Sequence, residues 1–506
     1  MSEENGIFIG ASHPKHGTGL TKEYIWLKYA NRHGLITGAT GTGKTVTLQV
    51  LAESFSAVGV PVFCADVKGD LSGISKAGTL TDNVKSRANK VGLDDIQMKA
   101  SPVIFWDLFG VEGHPIRATV SEMGPLLLSR LMDLTSAQEG VLNIAFKIAD
   151  EEGLLLLDLK DLQAMLAHVA DRATELSVRY GNISKPSVGA IQRQLLVFEQ
   201  QGGEHFFGEP ALELKDIMRT TTDGRGVVSV LASDKLMSNP RLYSTFLLWL
   251  MSELFEQLPE IGDPDKPRLV FFFDEAHLLF DNAPKALIER IEQVVRLIRS
   301  KGVGIYFISQ NPLDVPDTVL AQLGNRIEHA LRAYTPRETA AVKAAAATFR
   351  TNPDFNTAEM IGQLATGEAL VSTLEDKGVP SMVQKTTIRP PASQIGAITP
   401  QERENLIKNS PVSGKYDETI DRDSAYEMLA RNTAEKQSSN DTQQGGGFWD
   451  TIWGNDKKNS RGQSVAETAI KSITRTAANS IGRSIAKAGE SYLRGLLGNL
   501  LGGKRK

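Results

Sequence analysis

An octapeptide near the start of the chain, Gly38-Ala39-Thr40-Gly41-Thr42-Gly43-Lys44-Thr45, has the residue types needed to hold a polyphosphate. It fits G-x-x-x-x-G-K-[ST] without a mismatch. Glycines let successive backbone N–H groups turn inward and form an anion nest at a helix N-terminus. Lys44 supplies a cation within reach of β- and γ-phosphates, and the Thr45 hydroxyl supplies an oxygen for Mg2+. The flanks suit the motif. Gly34-Leu35-Ile36-Thr37 reads as a short buried strand, and Val46 to Phe55 as a helix with Leu48, Leu51 and Phe55 on one face. The alternative is a glycine-rich turn that binds nothing.

The second half of such a site is a hydrophobic strand ending in carboxylates, which Arg268-Leu269-Val270-Phe271-Phe272-Phe273-Asp274-Glu275-Ala276-His277 supplies. A continuous apolar run bounded by proline and charge predicts a central parallel strand. Asp274 at its end is placed to bind Mg2+ through water, and Glu275 to act as the general base on an attacking water. The second acid suits ATP-hydrolysing motors better than kinase-like or GTPase-like proteins. By itself, the segment also reads as a buried strand followed by a helix that Asp274 caps.

The rest of the chain has to position these two segments. It has 506 residues, enough for a large core with additions. Hydrophobic content of 41% and charged content of 23% are those of an ordinary globular protein. The net charge of −4 gives no global basic signature for nucleic acid, although a local basic pore is compatible with it. Cys64 is the single cysteine, so intramolecular disulfides and cysteine-based metal sites are ruled out. The first residues, Met-Ser-Glu-Glu-Asn, have neither a basic nor an apolar targeting region, and no apolar run nears the ~18 residues that span a bilayer. A cytoplasmic location is expected.

The pattern predicts a modular chain. Residues 1–25 form an N-terminal lead-in, and 26–114 with 221–395 form a core of strands alternating with helices. Residues 115–220 carry three- and four-residue apolar spacing and read as an all-α insertion. Strands are expected at 62–66, 104–107, 226–231, 268–273, 304–309 and 327–333, with a terminal hairpin of 368–373 and 382–388. A polar extension covers 396–431 and a low-complexity linker 432–461. Residues 462–506 read as a basic amphipathic tail helix, with Ile470, Ile473, Ile481 and Ile485 on one side and Lys471, Arg475, Arg483 and Lys487 largely on the other.

Asn31-Arg32-His33-Gly34-Leu35-Ile36-Thr37-Gly38 and Ser309-Gln310-Asn311-Pro312 resemble the HerA/FtsK division of P-loop ATPases. Gly181-Asn182-Ile183-Ser184 and Phe206-Phe207-Gly208-Glu209-Pro210 resemble, within it, the YjgR-like HerA-related bacterial proteins of unassigned role. The resemblance covers roughly 25–395. It implies an α/β fold with a RecA-like P-loop NTPase core, a mostly parallel sheet with flanking helices. It also implies ATP and Mg2+ as ligands and a homo-oligomeric, hexameric ring. Gln310 matches the glutamine that orients the lytic water or senses the γ-phosphate. Arg299 matches an arginine inserted into the neighbouring subunit's site, with Arg32 and Arg326 as further candidates. Asp66 matches an acidic position that assists metal or water, although the stretch after it, through Asp70, departs from the HerA pattern and is also explained as a turn. His33 and His277 lack partners at ligand spacing and read as packing residues.

Two departures limit what the resemblance implies. HerA has a β-barrel ahead of its core, whereas about 30 residues precede the P-loop strand here, too few for a barrel. The helical insertion is also distinctive. The expected function is an ATP-hydrolysing ring motor acting on double-stranded DNA as helicase or translocase. The alternative is an ATP-switched scaffold or regulator that binds protein or membrane through its insertion and tail.

Overall fold

The computed structural model describes residues 3–13, 19–236, 239–281 and 285–439. Within them the chain forms twelve strands: β1 (Gly6–Ser12), β2 (Thr21–Trp26), β3 (Gly34–Thr37), β4 (Val62–Asp66), β5 (Val103–Asp107), β6 (His114–Pro115), β7 (Val228–Ala232), β8 (Leu269–Phe273), β9 (Val303–Ser309), β10 (Asn325–His329), β11 (Glu368–Ser372) and β12 (Gln384–Ile388). They make one sheet in the order β2-β1-β12-β11-β10-β3-β9-β8-β4-β7-β5-β6. The stretch from β10 to β6 is parallel throughout. β11, β12, β1 and β2 add an antiparallel edge. This is the RecA-like P-loop architecture, a mostly parallel sheet with helices packed on it.

The central strands are apolar without alternation because both faces of the sheet are covered. Every residue of β3, β4, β8 and β9 is buried. Helix α1 (Lys44–Ala57) packs Leu48, Leu51, Ala52 and Phe55 into the core that Val62, Val270, Phe272 and Tyr306 share. Its other side is covered as well. Glu53 accepts hydrogen bonds from the Arg389 guanidinium at 3.0 Å and from the backbone of Ala392 and Ser393, so the segment after β12 straps the helix down.

Some sequence expectations shift. The lead-in includes β1 and β2, whose hydrogen bonding to β12 extends the sheet. β1 is largely buried between β2 and β12, and β2 at the edge is mostly polar and exposed, so neither shows a clean two-residue alternation. The strand expected at 327–333 is β10, 325–329. It ends at His329 because the next carbonyl, that of Ala330, turns to accept the Ala39 N–H at 2.8 Å. The expected hairpin is present as β11 and β12.

Between β6 and β7 lie helices α2 (Val120–Leu131), α3 (Ser136–Glu152), α4 (Leu159–Asp171), α5 (Ala173–Tyr180) and α6 (Lys185–Phe198). Capping boxes at Thr119, Thr135 and Asp158 start three of them. In the polar extension, Tyr416 is fully buried and its hydroxyl donates to Asp216 at 2.5 Å. A helix spans Ala425–Ser439 and so occupies the first part of the expected linker. The remainder of that linker and the tail helix lie outside the described residues. Among the described residues no helix is long and apolar enough to cross a membrane.

Candidate active site

The glycine loop leaves β3 at the carboxyl edge of the parallel sheet, where open α/β folds place ligands. Gly38 has φ 149° and Gly43 φ 114°, both in the region that favours glycine. A Cβ on Gly38 would stand 2.5 Å from the His329 Cβ, and one on Gly43 would stand 3.2 Å from the Gly367 Cα. The backbone fixes the loop on both flanks: Ala39 donates to Ala330, and Gly367 donates to Thr42 at 2.8 Å. Gly43 caps α1 and makes no side-chain hydrogen bond, so no protein side chain at the cap competes for the first-turn N–H groups. The cradle therefore fits a phosphate chain.

Lys44 is buried, and its ammonium donates to the carbonyls of Gly38 at 2.6 Å and Ala39 at 3.1 Å. Burial lowers its pKa, and the Lys68 charge adds to this, opposed by Glu275 and Asp274. Thr45 is half-buried beside it.

β8 delivers the carboxylates. Asp274 follows its last residue and accepts the Glu275 N–H at 2.9 Å. Burial, then the neighbouring Glu275 charge, push Asp274 up to about 6. Asp66, at the end of adjacent β4, is pushed up to about 7 by burial, while the Leu71 N–H it accepts at 3.0 Å pulls it down and the Asp274 charge pushes it up. The buried Asp66 thus caps the turn after β4 and also adds negative charge beside Asp274. Asp70 is exposed at the start of that turn. The carboxylates beside the loop suit a divalent cation, and an aspartate with a threonine hydroxyl is the kind of oxygen donor set Mg2+ accepts, since it takes few protein ligands alongside substrate phosphates.

Glu275 has a left-handed backbone, φ 48°, and a buried side chain. Lys68 donates to its Oε1 at 2.8 Å, Gln310 donates to Oε2 at 3.2 Å, and His277 stands 3.4 Å from Oε2. Burial pushes the carboxyl up, but the Lys68 hydrogen bond and charge, helped by Gln310 and His277, hold it below the usual range. The Gln310 carbonyl oxygen in turn accepts the Thr40 hydroxyl at 3.3 Å. This brings together residues read from three separate stretches: Thr40 in the glycine loop, Glu275 after β8 and Gln310 after β9. β9 lies between β3 and β8 in the sheet, so Gln310 spans the gap.

The arginines are elsewhere in the same chain. Arg299 precedes β9 and Arg32 precedes β3, at the amino edge of the sheet. Both face Asp263, Arg299 at 3.3 Å and Arg32 at 3.9 Å. The seven residues of β9 separate this edge from Gln310 by roughly 20 Å. Arg326 is committed locally, donating to the carbonyls of Leu323 and Leu320. His33 is a packing residue: it is buried, its Nε2 is 2.8 Å from the Val295 carbonyl, and its Nδ1 accepts from Ile305. Among the described residues no group of three metal-ligating side chains converges.

Sequence reading missed three participants. Lys68 sits two residues past Asp66, and its nearness to a strand end was the only signal. Glu328 on β10 is buried and accepts the Thr37 hydroxyl, while its Oε1 has no partner. It lines a cavity of about 80 Å3 with Arg326 and Asp317, and burial pushes it up to about 8. His329 bonds Thr47 of α1 at 2.8 Å and so ties β10 to the helix after the loop.

Several solved structures resemble this chain distantly. One is the bacterial conjugative coupling protein TrwB, 15% identical over 73% of this chain and 89% of that one, with a TM-score of 0.48. VirB4 of Thermoanaerobacter pseudethanolicus is 16% identical over 80% and 99%, with a TM-score of 0.49. A TrwB structure in complex with ADP and Mg2+ is 17% identical over 72% and 88%, with a TM-score of 0.45. No curated protein matches the chain. A family model does, over residues 13–506, and the chain belongs to the helicase HerA-like C-terminal family of P-loop ATPases.

Proposed function

We propose that this chain hydrolyses ATP as one subunit of a ring motor of the HerA/FtsK type that acts on double-stranded DNA. The observation that carries the reading is the hydrogen-bonded chain Thr40–Gln310–Glu275, which joins the phosphate-binding loop to a carboxylate on another strand. Such a link lets the position of the base respond to the phosphate that the water attacks.

In this mechanism the loop N–H groups from Gly38 to Thr45, together with Lys44, hold the phosphates. Thr45 and Asp274 would hold Mg2+, which supplies charge stabilisation on the phosphate oxygens when bound. Gln310 orients a water, and Glu275 takes its proton as the oxygen bonds to the γ-phosphorus and the bond to the ADP oxygen breaks. ADP and phosphate leave. Arg299 acts from the neighbouring subunit, which fits its position at the opposite edge of the sheet with a side chain 42% exposed.

A second reading, an ATP-switched scaffold, draws on exposed apolar side chains of the insertion: Val178 on α5, and Leu196 and Val197 on α6. ATPase measurement with and without double-stranded DNA, alongside mass by light scattering, separates the two. The motor is expected to be oligomeric, with turnover stimulated by DNA and the stimulation weakened by salt. An oligomer whose turnover ignores DNA favours the scaffold.

A further inference from the structure

Among the described residues the ammonium of Lys68 is the one group facing Glu275 that comes from neither the end of β8 nor its neighbour β9. It follows β4, its side chain is 42% exposed, and it donates to Glu275 Oε1 at 2.8 Å. Gln310 and His277 supply three more approaches, at 3.3, 3.2 and 3.4 Å. A carboxylate offers about four lone-pair sites. Gln310 reaches both oxygens through one amide nitrogen, and Lys68 holds Oε1 of a side chain that is almost fully buried, so the withdrawal of a donor opens room for a water. Gln310 is held by Thr40, and His277 begins the short helix after the strand. Lys68 has the longest side chain of the three and an exposed one, so it is the donor with the most room to move. Its destination follows from charge. Lys68 lies close enough to Lys44 at the carboxyl edge of the sheet for its charge to disfavour the Lys44 ammonium. The polyphosphate is the anion that would relieve this repulsion, and in the proposed mechanism its terminal phosphate receives the water that Glu275 deprotonates.

We propose that Lys68 reads the γ-phosphate: it exchanges Glu275 for that phosphate, which frees the carboxylate to accept a water only when a triphosphate is bound. This rests on the assignment of the site as an ATPase and adds a residue that tells ATP from ADP. Lys68 is a positioning residue for Glu275 and a ligand contact in the triphosphate state.

The test compares full-length wild type with Lys68→Met and Lys68→Arg, measuring affinity for ADP and for ATPγS by calorimetry with Mg2+ present. A lost charge-assisted contact is expected to weaken ATPγS about tenfold or more in Lys68→Met. ADP affinity should stay within about twofold. Lys68→Arg should recover most of the preference for ATPγS. Unchanged affinities would overturn the proposal, as would equal losses for both nucleotides, which mark general damage to the loop. The ATPase assignment is tested separately by turnover of wild type against Glu275→Gln. Binding discrimination is read whether or not turnover is found, so the two failures are distinguishable.

Discussion

Gln310 donates its amide to the Glu275 carboxylate at 3.2 Å while its own carbonyl oxygen accepts from Thr40. One side chain therefore couples the glycine loop to the carboxylate across the width of β9. Gln310→Ala removes both bonds and leaves the cradle intact. We expect turnover to fall by about tenfold or more with nucleotide affinity changed only a few-fold. A normal kcat in the purified variant would remove Gln310 from the mechanism.

Lys44 and Glu275 are assigned to different steps, so their variants should fail differently. Lys44→Ala takes away the cationic clamp and should weaken nucleotide binding. Glu275→Gln should bind nucleotide and lose about 10²-fold or more in turnover, because an amide is no base. Equilibrium binding and single-turnover hydrolysis on the same preparations distinguish the two. Normal hydrolysis by Glu275→Gln would overturn the assigned base.

Arg299 pairs with Asp263 at the amino edge of the sheet, far from Lys44 of its own chain. If it serves the next subunit, Arg299→Ala should bind ATP yet turn over slowly. Mixed with Glu275→Gln protein, it should recover part of the activity, since rings of both contain some sites with an intact base and an intact arginine. Absence of recovery in rings shown to be mixed would argue against action between subunits.

Glu328 offers a pH test. Its folded pKa, about 8, lies above the ordinary 4.5, chiefly through burial. Between those values the folded chain binds more protons than the unfolded one, so stability falls as pH rises through the window. Glu328→Gln removes this dependence. Its Tm relative to wild type should rise as the buffer moves from about pH 5 to about pH 8.5. Parallel Tm curves for the two proteins would show that Glu328 does not titrate in this way.

The basic segment 462–506 reads either as an interaction arm beyond the linker or as a packed or partner-bound helix, which its four glycines and Ile- and Ala-rich apolar face favour over a lipid anchor. If it is an arm, deletion after Gln444 should leave basal turnover and fold intact but reduce association with anionic lipid, nucleic acid or a protein partner, and salt should mimic the first two losses. If sedimentation and basal ATPase fall together instead, the helix belongs between subunits.

Sequence alone determined the loop from Gly38 to Thr45 and the strand ending at Asp274 and Glu275, while Gln310 comes from the family resemblance of Ser309-Gln310-Asn311-Pro312. Each is a local pattern whose spacing is set by backbone geometry: glycines where φ is positive, and apolar runs where both faces of a sheet are covered. What sequence could not determine was contact between segments. Lys68 and Glu275 are separated by 207 residues, and nothing in the stretch around either announces the other. Glu328 looks like an ordinary strand residue until β10 is seen beside β3, where Thr37 meets it. The family resemblance implies that Arg32 and Arg299 serve a neighbouring subunit, and each precedes a strand of the site. The parallel sheet puts strand starts and strand ends on opposite edges, and that decided their distance from Lys44. The strand order is set by which apolar surfaces bury one another across the whole chain, so only the folded structure fixes which polar groups come to lie at the same edge.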